Sequence, residues 1–164
     1  MILYVSKYGA VREAAERAAA TAGVPAWNLK DQAAAARDAL AAASQKPQGE
    51  RPRVLILAPV YAGTLPGPMK RFLETERERL LACPVALGLS CLYEGEEGRQ
   101  QIATVFPGWL VGHAQPREVI GGRVIMQQLG LPIRMLIRRI IGSHEDVERM
   151  QWETVDRLAD WLRT

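Results

Sequence analysis

"MILYVSKYGAVREAA", residues 1 to 15, passes from a continuous apolar run into a helical pattern across a join of four residues, Ser6, Lys7, Tyr8 and Gly9. A short apolar run without polar alternation belongs to a strand buried on both faces, and such strands occur in parallel sheets covered by helices. Val11, Ala14, Ala15, Ala18 and Ala22 then recur at i, i+3, i+4 spacing, the stripe of a helix packing back on that sheet. The alternation repeats along the chain. "RVLILAPV" (53–60) and "PVALGLSCL" (84–92) read as further buried strands, "PAWNL" (25–29) as a weaker one, and "WLVGHAQPREVIGG" (109–122) as a strand interrupted at Pro116. Met69, Phe72, Leu73 and Leu80 form one helical stripe in the segment that Pro68 opens. "DQAAAARDALAAAS" (31–44) reads as a peripheral helix with Asp31 as its N-cap and little beyond Leu40 to bury, and Val155, Leu158, Ala159 and Leu162 mark a closing helix. Five β/α repeats predict an open, doubly wound α/β sheet with right-handed crossovers.

Composition supports one domain spanning residues 1–164. A chain of 164 residues that is 48% hydrophobic can bury about 70% of its unfolded surface in a single core. "SQKPQGERPR" (44–53) is the one linker-like stretch, and it reads as a surface loop feeding the third strand. A net charge of +3 gives no electrostatic footprint for nucleic acid. The sequence opens without a basic leader, and no run approaches the ~20 apolar residues of a membrane span, which predicts a cytosolic protein. Cys83 and Cys91 lack CxxC spacing and read as reduced, buried side chains. His113, placed in or near the fifth strand, and His144 have no partners at metal-ligand spacing, so no metal site and no catalytic histidine are expected.

In a doubly wound sheet, ligands sit beyond the carboxyl ends of the strands where strand order reverses. The loops that matter are therefore Ser6 to Val11, Val60 to Pro66 and Ser90 to Gly98. At the first, unpaired amides and the positive end of the helix dipole suit a phosphate, with Ser6 adding a hydroxyl, Lys7 a charge and Gly9 close backbone approach. A plain tight turn fits the same residues. At the second, Tyr61 beside Ala62 and Gly63 can stack on a flat heterocycle while the Ala62–Gly63 peptide turns toward a ring edge, or it can simply cap a Gly-Pro-rich loop. At the third, Tyr93 follows Ser90, Cys91 and Leu92, so two tyrosines could bracket one ring system. Glu94, Glu96 and Glu97 crowd that loop, either opposing an anionic ligand or forming an exposed acidic turn.

The succession "VSKYGAVREAAE", "APVYAGTLPGPMKRFLE", "LSCLYEGEE" and "IGGRVIMQQLGLPIRMLIRRIIGSHEDVERMQWETVDRLADWL" resembles, over essentially the whole chain, the flavodoxin-like proteins of the menaquinone-dependent protoporphyrinogen IX dehydrogenase group. The resemblance implies strand order 2-1-3-4-5, noncovalent FMN, and an extra helix before the last helix. It places Ser6, Lys7, Tyr8, Gly9, Ala10 and Val11 around the FMN phosphate, Tyr61, Ala62 and Gly63 on one side of the isoalloxazine, and Ser90, Cys91, Leu92, Tyr93 and Gly95 on the other. Ala10 and Val11 depart from the hydroxyl and amide residues usual in such loops, and one lost hydrogen bond to a charged group is worth about 1.5–3 kcal/mol. No side-chain acid or base is singled out as catalytic; the chemistry would be the flavin's.

The implied activity is an FMN-dependent dehydrogenase taking a small-molecule substrate, a porphyrinogen, and a quinone as acceptor. A flavodoxin-like electron carrier and a flavodoxin-fold interaction domain without FMN are the alternatives; carriers of this type are typically acidic, against the +3 here. The run "RMLIRRIIG" (134–142) lies within the expected extra helix, 131–142, with Ile133, Leu136, Ile137 and Ile140 on one face and Arg134 and Arg138 on another. It either packs on the core with its arginines in water, or offers a basic surface to propionates or lipid head groups, which would make the protein peripheral to the inner face of the membrane.

Overall fold

The computed structural model describes residues 1–124, 135 and 146–164. Along the chain the elements are β1 (Ile2–Tyr4), α1 (Ala10–Ala22), β2 (Ala26–Asn28), α2 (Ala33–Ser44), β3 (Val54–Pro59), α3 (Gly67–Thr75), α4 (Arg77–Ala82), β4 (Val85–Ser90), α5 (Gly95–Val105), α6 (Gly108–His113), β5 (Arg117–Gly121), β6 (Arg123–Val124), β7 (Val147–Glu148) and α7 (Trp152–Arg163). The first five strands form one parallel sheet in the order β2-β1-β3-β4-β5, as expected for the flavodoxin-like fold. Strand order reverses between β1 and β3, so the loops leaving those two strands face each other at the sheet's carboxyl edge.

Residues alternate between two cores because successive side chains point to opposite faces of a strand. Ile2, Leu55, Leu57, Ala86 and Ile120 pack with Val11, Ala14, Ala15 and Ala18 of α1 and with Val155, Leu158, Ala159 and Leu162 of α7. Leu3, Val5, Ile56, Leu87 and Leu89 turn the other way, onto Leu40 of α2, Met69, Phe72 and Leu73 of α3, Leu80 of α4, Ile102 of α5 and Leu110 of α6. The alanines of α1 let its backbone lie close to the sheet. Both cysteines are free and buried, as the sequence predicts.

Four local readings are corrected. Residues 109–113 are helical, not the start of a strand: the Pro107 carbonyl accepts from the amides of Leu110 and Val111 (2.9 and 3.0 Å), and burying Leu110 completely overrides the β-preference of Trp109 and Val111. His113 therefore ends α6, where its Nε2 donates to the Cys83 carbonyl at 2.8 Å, a structural bond. The stripe from Met69 to Leu80 is two helices, not one. Glu76, at the break, is 4% exposed and joins Arg37 of α2 (3.4 Å) to Arg79 (2.5 Å). Asp31 does not cap α2; the preceding turn is built by the Asn28 amide donating to Gln32 Oε1 (3.0 Å) and the Lys30 amide donating to Asn28 Oδ1 (3.2 Å).

Glu96 and Glu97 lie in the first turn of α5, where they favour the helix dipole. The loop after β4 thus ends at Glu94, earlier than the sequence suggests. After β5 the chain makes a two-stranded antiparallel ribbon, β6 with β7, that sequence reasoning missed. Of the helix expected over 131–142 only Met135 is described; the rest of it, with Arg134 and Arg138, and His144 lie outside the described residues.

Candidate functional site

At the head of α1 the backbone turns within three residues. Ser6 is buried, and its Oγ accepts the Gly9 amide at 3.2 Å, closing the turn while keeping its own proton to donate outward. Gly9 has φ 94°, a conformation glycine adopts without strain, and a Cβ built there meets nothing within 4 Å. The first intrahelical-type bond is Glu13 amide to Gly9 carbonyl, 2.9 Å. Among the described residues no group accepts from the amides of Ala10, Val11 and Arg12, the orphan donors of a helix start. Ala10 and Val11 are buried, Val11 in the core with Ala14 and Ala15, so these positions contribute main chain to the loop and side chain to the interior. Lys7 is exposed, with its Nζ 5.0 Å from the centre of the Tyr8 ring.

The second loop meets the first directly. Tyr8 and Tyr61 pack edge to face, centroids 5.7 Å apart and planes at 86°. Burial pushes the Tyr61 phenol up to about 12, opposed by a hydrogen bond with the Lys7 backbone. Tyr61 and Thr64 exchange backbone bonds of 3.0 and 3.1 Å around Ala62 (φ 48°) and Gly63 (φ 73°). Two positive φ angles inside such a closure make a type I′ hairpin turn, which leaves the Ala62–Gly63 peptide exposed at its tip.

The third loop is fastened from below. Val60 donates to the Ser90 carbonyl and Cys91 to the Gly121 carbonyl, each at 3.1 Å, tying it to the second loop and to β5. Cys91 Sγ donates to the Tyr93 carbonyl at 3.5 Å, and burial pushes its thiol up, which suits a packing role. Tyr93 is 40% exposed, with no ring partner among the described residues. Gly95 takes φ 57° at the start of α5, facing open space.

All three predicted loops thus stand at one edge of the sheet. The first two touch through Tyr8 and Tyr61, and the third lies alongside with Tyr93 on its rim. Missed from the sequence are residues that lock the loops from the ribbon side. Val124 is buried against Tyr8, Leu92 and Val147. Arg123 bridges Glu13 and Glu148, and Arg149 lies 3.7 Å from Glu94. Glu13 was visible as an acidic residue in a first helical turn; two-residue strands give no periodicity from which Arg123 could have been found.

Among the described residues no group of His, Cys, Asp and Glu is placed to hold a metal, and no helix is long and apolar enough to cross a membrane. No curated protein matches the sequence. Among solved structures, the flavodoxin, WrbA-like protein from Agrobacterium tumefaciens is similar at 12% identity and TM-score 0.51, covering 99% of this chain and 95% of its own. Rubredoxin oxygen:oxidoreductase from Desulfovibrio gigas is similar at 11% identity and TM-score 0.49 over 98% of this chain, which spans only 36% of that protein's length. At these identities the likeness concerns fold alone. The sequence itself matches the Flavodoxin domain family model over residues 1–150, and the chain belongs to that family.

Proposed function

We propose that the chain binds FMN and works as an oxidoreductase of the protoporphyrinogen IX dehydrogenase type, passing electrons from a porphyrinogen to a quinone. The observation that carries this reading is the head of α1. Unaccepted amides at Ala10, Val11 and Arg12, a Ser6 hydroxyl, a Lys7 ammonium and open space above Gly9 form a donor set suited to a phosphate monoester. The residues present therefore fit the phosphate of FMN. A bound flavin would supply the electron transfer, and the protein's part is binding, orientation and exclusion of water. Ser6 and the α1 amides would hold the phosphate, with Lys7 balancing its charge. The Ala62–Gly63 turn and the backbone from Cys91 to Gly95 would flank the ring, and Tyr93 offers an open aromatic face.

The buried Val11 favours a second reading. A hydroxyl at that position could not reach an anion without leaving the core, so the cradle relies on main-chain donors, and a domain that has given up FMN would keep the same fold. Gel filtration of the purified protein with added FMN separates the two. Retained flavin absorbance with quenched fluorescence supports the cofactor reading; its absence supports an interaction domain. Reduction of the retained flavin by protoporphyrinogen, followed by reoxidation with menaquinone, is the outcome expected of the enzyme. A flavin reduced only by protein partners would make the chain an electron carrier, a role its net charge of +3 does not favour.

A further inference from the structure

Arg123 stands where the ribbon meets α1. Its Nε and Nη2 grip the two carboxylate oxygens of Glu148, and its Nη1 donates to Glu13 Oε2 at 2.8 Å. The arginine side chain is 24% exposed and the two carboxylates about half, so one well-covered cation neutralises two acids from different parts of the chain. The next residue, Val124, packs on Tyr8 of the first loop.

Glu13 occupies the first turn of α1. A carboxylate there stabilises the helix through its dipole, yet it sits within a turn of the amides that would receive an anion, where its charge opposes one. Among the described residues, the first loop and the first turn of α1 also carry Lys7 and Arg12, both exposed. On the ribbon side Arg149 faces Glu94 at 3.7 Å, which leaves Arg123 as the described cation paired with Glu13. We propose that Arg123 is a positioning residue for the bound anion: by neutralising Glu13 and holding Val124 against Tyr8, it makes the head of α1 receptive to a phosphate monoester. This rests on the FMN reading for the identity of the ligand, and the role of Arg123 is distinct from it.

The test measures FMN and riboflavin affinity by flavin fluorescence at low and high salt, with circular dichroism confirming the fold of each variant. Arg123→Ala is expected to weaken FMN about fivefold at low salt and less at high salt, with riboflavin affinity unchanged because riboflavin has no phosphate. Arg123→Lys, or Glu13→Gln added to Arg123→Ala, should recover most of the loss. Glu13→Gln alone should bind FMN at least as tightly as the parent, which keeps the test open if Arg123→Ala does not fold. An Arg123→Ala affinity within about twofold of the parent, an equal loss for FMN and riboflavin, or no rescue by Glu13→Gln overturns the proposal. A parent protein that binds no FMN sinks the cofactor reading instead. The inference is then read from melting temperature in inorganic phosphate against chloride at matched ionic strength: a rise in the parent that Arg123→Ala removes supports it, and no rise in the parent, or an equal rise in both, overturns it.

Discussion

Gly9 shows how one residue can serve both the fold and the proposed phosphate cradle. Its φ of 94° lets Ser6 close the turn, and the open space where a Cβ would stand is the space assigned to the phosphate. Gly9→Val is expected to abolish FMN retention in gel filtration, because it adds a branched side chain to that space at a backbone angle β-branched residues avoid. Unchanged affinity in a folded variant would place the phosphate elsewhere. Ala62 presents the opposite situation, a residue with a Cβ held at φ 48° within the type I′ turn. Asn-Gly is the preferred pair for that turn, so Ala62→Asn should raise unfolding stability by about 0.5–1 kcal/mol, read from the denaturant midpoint. Tyr61 adds a pH signature. Its phenol titrates near 12 in the folded chain against 10 when unfolded, so its contribution is intact below pH 10 and stability falls as pH rises from 10 toward 12, where only the unfolded chain gives up the proton. In a spectrophotometric titration of phenolate absorbance, Tyr61→Phe should remove a late-titrating component and leave the earlier ones in place.

At the scale of elements, the strands and the closing helix were legible because their signals are local. "LILAP" is apolar throughout since both faces of β3 are covered, and the α7 stripe of Val155, Leu158, Ala159 and Leu162 is buried. What sequence reading lost was decided by contacts distant along the chain. Residues 109–113 are helical through the burial of Leu110 and the packing of Arg77 over Trp109, 5.5 Å from its ring centre. The starts of the three loops follow from the ends of β1, β3 and β4, although the third gives way to α5 at Gly95 rather than running to Gly98; their lock could not be read, since it depends on a ribbon whose described strands are two residues each. Gly121 makes that lock possible. At φ 75° it lets the chain after β7 pass so closely that a Cβ would lie 1.9 Å from the Arg149 carbonyl oxygen, while Arg149 and Gln151 donate to the carbonyls of Gly122 and Ile120 at 2.9 and 3.0 Å. Gly121→Ala should cost about 2–4 kcal/mol of stability through the strained φ and the backbone collision together. It should also raise proteolytic cleavage near residues 121–124 more than cleavage elsewhere. A stability loss under about 1 kcal/mol would mean that the ribbon can shift without cost.

Across the whole molecule, the two faces of the sheet are packed by different means, and this fixes how close the helices can come. On the α1/α7 face β4 offers the small residues Ala86 and Gly88, and a Cβ on Gly88 would lie 2.4 Å from Leu57 Cδ2, 3.2 Å from Ile120 Cγ2 and 3.3 Å from Leu158 Cδ1. The space a side chain would take on β4 is therefore filled by Leu57 and Ile120 from the two neighbouring strands and by Leu158 from the last helix, a long-range fit that no local pattern announces. Gly88→Ala should destabilise by about 1–3 kcal/mol through overpacking, and Leu158→Ala by about 2–5 kcal/mol through the cavity it leaves. The two should not add. With Leu158 shortened, Leu57 can turn into the vacated space and admit the new methyl group, so the double variant should be more stable than the sum of the single losses predicts by about 1 kcal/mol. Chemical denaturation of the four proteins closes this cycle, and strict additivity would show that α7 and β4 pack independently, leaving the closeness of that face to α1 alone.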